Sequence, residues 1–331
     1  MKFDQKNRTS VKKLIPLELF FLFIFITNCD IFKSFKQNIY LADPTIFKDG
    51  CIYYLYGTTA GGIDSTNNGI KVYVSNDLVK WEYKGYALKK GNAFGDKGFW
   101  APQIFKKDNL YYMFYTANEK IGIAFSESPL GPFKEKNRKY IKAKHRQIDP
   151  FVFFDNNKFY LYHVKKVIND NEIFVAELEK GLREINEDTL TKCLSSECPW
   201  ENEDNVDFKN VQGPSVFKID STYYMLYSAN NFKSSNYAVG YATSSSPLGP
   251  WNKSKKNPLI NFNNIKQSGP GHGDIFFNET KSYIKYVLHT HNSIDKLRPR
   301  KTGILDLIID QESKTISLKN ESFKFFKVNK K

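Results

Sequence analysis

Cysteine is scarce in this chain, with four in 331 residues, and no Cys/His spacing of the metal-binding type occurs. A zinc-ribbon or zinc-finger reading is thereby excluded. Cys193 and Cys198 lie close enough in sequence to pair in an oxidising compartment. Cys51 stands in an apolar, strand-like run and is expected to be buried. Sustained helical periodicity is also missing. The one short helical pattern, "VAELEKGLREI", reads equally well as strand and turn. No apolar run is long enough for a comfortable membrane span; the longest extends only from Leu14 to Thr27. Finally, no basic helix accompanies the net charge of +14 (49 Lys+Arg against 35 Asp+Glu). The lysines are scattered beside turns, which reads as a solvated surface, and no nucleic-acid partner is expected.

What the chain does have is aromatic residues, 16% of the total, with 28 Phe and 20 Tyr. Aromatics suit the pleated, half-buried surface of β-strands. The length suffices for one large domain with a sizeable core.

At the N-terminus, Lys2, Lys6, Arg8, Lys12 and Lys13 precede "LIPLELFFLFIFITNC". A charged stretch followed by a short apolar one matches a secretory signal. Cys29 follows directly, so the end resembles a bacterial lipoprotein signal, although Asn28 departs from the small residue usual before that cysteine. Residues 1–28 are therefore expected to be a signal peptide and residues 29–39 a linker. The mature protein would sit in the periplasm or at the cell surface, touching membrane only through a lipid on Cys29.

One phrase is written five times. It reads "ADPTIFKDGCIYYLYGTT" from Ala42, "APQIFKKDNLYYMFYTAN" from Ala101, "IDPFVFFDNNKFYLYHVK" from Ile148, "QGPSVFKIDSTYYMLYSAN" from Gln212 and, more loosely, "HGDIFFNETKSYIKYVLHTHN" from His272. Each copy is an apolar strand, a polar turn and an aromatic strand, which is a hairpin signature. A second alternating strand follows in most units, as in "IKVYVSNDLVKW" and "YAVGYATSSSPLGPW". Units of about four short strands, recurring at roughly 60 residues, are the blades of a β-propeller. The predicted fold is all-β, a five-bladed β-propeller over residues 40–331.

In a propeller the first strand of every blade lines the central channel. Asp43, the Trp100–Ala101–Pro102 stretch, Asp149, Gln212 and His272 are thereby expected to converge. Two carboxylates and an aromatic at one funnel mouth suit a sugar. The set, with "LADPTIF", "FWAPQIF", "IDPFVF", "VQGPSVFK", "GPGHGDIF", "HTHNS" and "RPRKT", resembles the family 43 glycoside hydrolases. These are five-bladed propellers that cleave arabinose, xylose or galactose linkages with inversion. The resemblance implies that Asp43 is the general base and that Asp149 orients the acid and tunes its pKa. Trp100 follows a glycine-rich loop, "GNAFGDKGF", and is expected at the pocket rim, stacking on a sugar; of Arg298 and Arg300, which follow the last blade phrase, Arg300 is selected to face the substrate. The resemblance also places His272 in the central channel near a structural calcium, held mostly by water, or a water cluster.

The resemblance also implies a glutamate as general acid where this chain has Gln212. Glutamine donates a hydrogen bond but has no transferable proton near neutral pH. Weak or unusual hydrolysis of an oligosaccharide or polysaccharide is expected, by a monomer without an organic cofactor. The alternative is a catalytically inactive carbohydrate-binding lipoprotein. The preceding loop offers Glu201, Glu203, Asp204 and Asp207 as substitute acids, and these read first as a solvated acidic loop.

Overall fold

The computed structural model describes residues 36–59, 68–143, 145–168, 170–277 and 284–329. The expected signal peptide and Cys29 lie outside these residues. Each copy of the repeated phrase forms the inner hairpin of a blade. The first blade contains β2 (Ala42–Asp49), β3 (Ile52–Thr58), β4 (Gly69–Ser75) and β5 (Lys80–Lys89), all antiparallel neighbours, and β1 (Lys36–Asn38) precedes it. The second contains β6 (Trp100–Lys107), β7 (Leu110–Ala117) and β8 (Lys120–Ser126), and its outer edge is reduced to two bridges, Gly122 to Tyr140 and Phe125 to Lys134. The third contains β9 (Gln147–Asp155), β10 (Lys158–Lys166), β11 (Asp170–Leu178) and β12 (Thr191–Leu194). The fourth contains β13 (Lys209–Ile219), β14 (Thr222–Ala229), β15 (Ala238–Ser244) and β16 (Asn252–Lys253). The fifth contains β17 (Gly271–Phe277), β18 (Ile284–Thr290), β19 (Lys301–Asp310) and β20 (Thr315–Leu318), with β21 (Lys324–Phe325) beside β19.

Closure of the ring uses both ends of the described chain. β22 (Lys327–Asn329) pairs antiparallel with β1 and parallel with β5, so the last strand joins the first blade. Lys36–Asn38, within the stretch read from sequence as a linker, therefore belongs to the propeller. The "VAELEKGL" pattern is strand β11 followed by a turn.

Five apolar clusters fill the five seams between adjacent blades. The abundant tyrosines are explained there. Tyr115 and Tyr162 bury their rings fully and donate their hydroxyls to the carbonyls of Phe94 (2.7 Å) and Pro247 (2.5 Å). A large apolar ring with one satisfied polar tip fills such a seam without leaving an unpaired group.

Two cysteine expectations are corrected. Cys51 is exposed, because it lies in the β2–β3 turn rather than inside a strand. Cys193 and Cys198 are free thiols. Cys193 packs into the seam of the third and fourth blades, whereas Cys198 is held by its amide to the Glu201 carboxylate at 2.8 Å.

Candidate active site

Every blade opens its first strand with a residue in the left-handed region: Asp43 (φ 46°), Ala101 (φ 43°), Asp149 (φ 56°), Gly213 (φ 61°) and His272 (φ 36°). That conformation is uncommon for residues with a Cβ and clusters at functional sites. The inner hairpin of each blade has a bulge at the same place.

The strain is held by a circular set of clasps. In four of the five blades a side chain at the end of the second strand accepts the amide of the next blade's left-handed residue. Thr58 Oγ1 accepts from Ala101 (2.9 Å), Thr116 Oγ1 from Asp149 (2.9 Å), Ser228 Oγ from His272 (2.8 Å) and His289 Nδ1 from Asp43 (3.1 Å). In the third blade this position is Val164, which cannot accept. The amide of Gly213 turns instead to the Asp149 carboxylate. Asp149 thus takes the place of the missing acceptor. A Cβ on Gly213 would stand 2.8 Å from the His272 ring, so only glycine fits there.

Gln212 lies one residue before its blade's left-handed position, paired with Ser228 as Trp100 is paired with Thr116. That offset moves it from the channel floor to the wall above. The floor is lined by Asp43, Ala101, Asp149 and His272. The pocket over it, about 180 Å³, is lined by Asp43, Thr58, Trp100, Ile148, Asp149, Gln212, Phe232, His272, Arg298 and Arg300. All six site residues singled out in the sequence (Asp43, Asp149, Gln212, Trp100, His272 and Arg300) share this one hollow. It is smaller than the roughly 300–1,000 Å³ of drug-sized ligand sites, and suits one sugar ring.

Asp43 sits at the centre. Its Oδ2 accepts from Thr58 at 2.6 Å, and its Oδ1 lies 3.3 Å from Arg300 Nη1 and 3.3 Å from His272 Nδ1. Burial alone would raise its pKa, but the Arg300 guanidinium, with His272 and His289, holds it well below the usual carboxylate range. Asp149 Oδ2 is 3.8 Å from the same His272 nitrogen. The facing oxygens of the two aspartates are therefore no more than about 7 Å apart. Burial, reinforced by the nearby Asp43 charge, pushes Asp149 up to about 6 although His272 opposes it. One carboxylate is thus always ionised and the other is poised near neutrality.

The four acids of the preceding loop do not reach the pocket. Glu201 is fully buried elsewhere, where its carboxylate receives Tyr227 (2.6 Å), Lys253 (2.7 Å) and the amides of Glu197 and Cys198. Asp204 receives Asn236 at 2.9 Å, and neither Glu203 nor Asp207 lines the hollow. Among the described residues, Asp43 and Asp149 are the pocket's only carboxyl groups.

Three further residues shape the site. Tyr237 accepts a 2.7 Å hydrogen bond from Gln212 Nε2 and stacks on His289 at 5.8 Å. His289 Nε2 is 3.1 Å from Arg300 Nη1, and the Arg300 guanidinium lies over Phe232, 5.2 Å from its centroid. Burial, with Arg300 beside it, lowers the His289 pKa far below the usual imidazole range and keeps that ring neutral. His289 was visible in "HTHNS" and Tyr237 opens the phrase "YAVGYATSSSPLGPW", although nothing in the phrase marks it as a pocket residue; Phe232 sits in a loop outside the repeated phrases.

A calcium beside His272 would need oxygen donors around it. Calcium takes 6–8 oxygen ligands. Among the described residues no three His, Cys, Asp or Glu side chains converge to hold a metal. The void below His272 is about 20 Å³, the space of about one water. Asp274, beside it, already accepts from Thr45 (2.6 Å) and Ser215 (2.7 Å). These residues do not make a calcium cage.

The sequence pattern of the glycosyl hydrolases family 43 matches residues 37–309. The chain belongs to this family. Among solved family 43 relatives, an endo-1,4-beta-xylanase from Bacteroides thetaiotaomicron is 34% identical, with a TM-score of 0.82 over 89% of this chain and 99% of that one. A thermostable family 43 glycoside hydrolase is also 34% identical, with a TM-score of 0.77 over 86% of this chain and 94% of the other. The chain is 23% identical to the non-reducing end alpha-L-arabinofuranosidase of Bacteroides ovatus, over 73% of this chain but only 45% of that protein. It is 22% identical to a beta-D-galactofuranosidase of Aspergillus niger, over 82% of this chain and 80% of that protein.

Proposed function

We propose that this family 43 protein is an inverting glycosidase acting on a terminal sugar of an arabinose-, xylose- or galactose-containing polysaccharide, and that it cleaves ordinary glycosides slowly. The observation that carries the reading is the meeting of Asp43 and Asp149 across one imidazole nitrogen of His272, with Gln212 on the wall above. The named activities of the similar proteins supply the sugar class.

In this reading Asp43 removes a proton from a water as that oxygen attacks the anomeric carbon. The bond to the leaving oxygen breaks with positive charge building on the ring, which the Asp149 carboxylate stabilises. Trp100 stacks on the sugar, and Arg300 fixes Asp43 and faces the substrate. Gln212 hydrogen-bonds the leaving oxygen but gives it no proton, which forfeits about 10²–10⁴-fold of general-acid help. A leaving group that departs as a stable anion escapes that loss. The test compares 4-nitrophenyl with alkyl arabinosides, xylosides and galactosides, for the unaltered chain and for Gln212→Glu. Turnover of nitrophenyl substrates, with alkyl substrates gained by Gln212→Glu, is expected. Silence of both proteins on every sugar defeats the proposal.

The bond from Gln212 to Tyr237 favours a second reading, a pocket that retains sugar without cutting it. Calorimetry with oligosaccharides would then give binding, and no released sugar would appear. Export with lipid attachment at Cys29 completes the proposal; palmitate labelling that survives Cys29→Ala would refute the anchor.

A further inference from the structure

We propose that His145, His163 and Gln147 form a binding site for one late first-row divalent cation, of the zinc, nickel or copper class, set in the third blade apart from the sugar pocket. The starting observation is a concentration of unmet polarity. Among the described residues, eight buried side-chain nitrogen or oxygen atoms lack a well-formed hydrogen bond, and five of them belong to these three residues: His145 Nε2, both ring nitrogens of His163, whose ring is near the Leu161 backbone, and both amide atoms of Gln147. His163 and Gln147 are almost wholly shut from solvent, at 0% and 2% exposed. Buried polar groups are rarely left unpaired, so such a cluster calls for an occupant.

The geometry brings the three together. The rings of His145 and His163 are nearly parallel (13°), with centroids 5.9 Å apart. A cation about 2.0–2.1 Å from one nitrogen of each ring sets two centroids roughly 5–6 Å apart. Gln147 on β9 pairs with Lys165 on β10, so its side chain shares a sheet face with Lys165 and, two residues back, with His163.

The chemistry of the donors selects the ion. Two imidazole nitrogens and one amide oxygen suit zinc, nickel or copper, and suit calcium or magnesium poorly. Lys165 faces both rings and opposes a cation, while Glu187 faces His145 and favours one. Lys165 directs its ammonium over the Phe174 ring, 4.7 Å from the centroid.

The test uses the full chain stripped with a chelating resin, then equilibrated with zinc, or separately nickel, and desalted. Elemental analysis should find about one equivalent, and the thermal midpoint should rise by several degrees with excess metal. His163→Phe and His145→Phe should each lose both effects, whereas His272→Gln in the sugar pocket should keep them. No uptake by the unaltered chain overturns the site and assigns the nitrogens to buried water. So does uptake that survives in both phenylalanine variants, or uptake lost in His272→Gln. Should His163→Phe fail to fold, His145→Phe, altered at a less buried position, decides alone.

Discussion

The side-chain amide of Gln212 donates a 2.7 Å hydrogen bond to the phenolic oxygen of Tyr237. Tyr237 in turn stacks on His289, whose two nitrogens lie 3.1 Å from the Asp43 amide and 3.1 Å from Arg300. The wall residue in the proposed acid position and the carboxylate in the proposed base position are thus tied through two buried rings. Gln212 is built into this arrangement with a partner of its own. A glutamate there would find the same phenol, now donating.

Restoring the carboxyl group is therefore expected to be structurally mild and chemically large. Gln212→Glu should raise kcat on alkyl glycosides by about 10²–10⁴-fold and change nitrophenyl glycosides far less. Steady-state kinetics on the two substrate series checks this, and equal gains on both would contradict a missing general acid.

The pH dependence follows from Asp149, raised from 3.8 to about 6 by burial and by the nearby Asp43 charge. Between about pH 4 and 6 the folded chain holds a proton that the unfolded chain has released, so stability falls as pH rises through that window. Activity moves the other way, because the charge that supports the transition state appears above pH 6. The rate on nitrophenyl substrates should rise to a plateau, without a descending alkaline limb. Gln212→Glu should add that limb, and Asp149→Asn should flatten the rise near 6. Rate profiles and urea midpoints at stepped pH provide both readings.

Tyr237→Phe leaves the Gln212 amide buried without its acceptor. A loss of about 1–3 kcal/mol is expected, the cost of an unmet buried polar group. It should appear as a lower urea midpoint at unchanged slope. A change within a few tenths of a kcal/mol would mean that Gln212 finds another partner.

Gly213→Ala combines a left-handed backbone (φ 61°) with a Cβ 2.8 Å from the His272 ring. The variant should lose more than about 1 kcal/mol and bind sugar more weakly, since His272 must move and both aspartates lean on it. Thermal melts and calorimetry with oligosaccharide measure the two effects. Loss of stability with undiminished binding would show that His272 does not organise the pocket.

The propeller was legible because its signal is repetition. Five copies of one hairpin phrase state the blade count, and residues at the same place in each copy must meet at the axis. The convergence of Asp43, Asp149 and His272 follows from that symmetry. Positions that break the repeat were not legible. Cys51 looks apolar in context, yet it stands in the turn between β2 and β3, where one residue decides inside from outside. Glu201 reads in the sequence as a spare acid, but it is buried and its carboxylate is taken up by four partners.

The sequence by itself determined that the chain folds as five aromatic-rich blades, and that an amide, Gln212, opens the fourth copy of the blade phrase. Both are local facts, written in the order of residues. Only the tertiary structure decided that Gln212 is on the pocket wall rather than the channel floor, and that Asp149 replaces the acceptor Val164 cannot provide. It also decided that His163 and Gln147 are buried without well-formed hydrogen bonds. Each depends on distances between blades, and closing the ring brings together residues that the order of the chain leaves far apart.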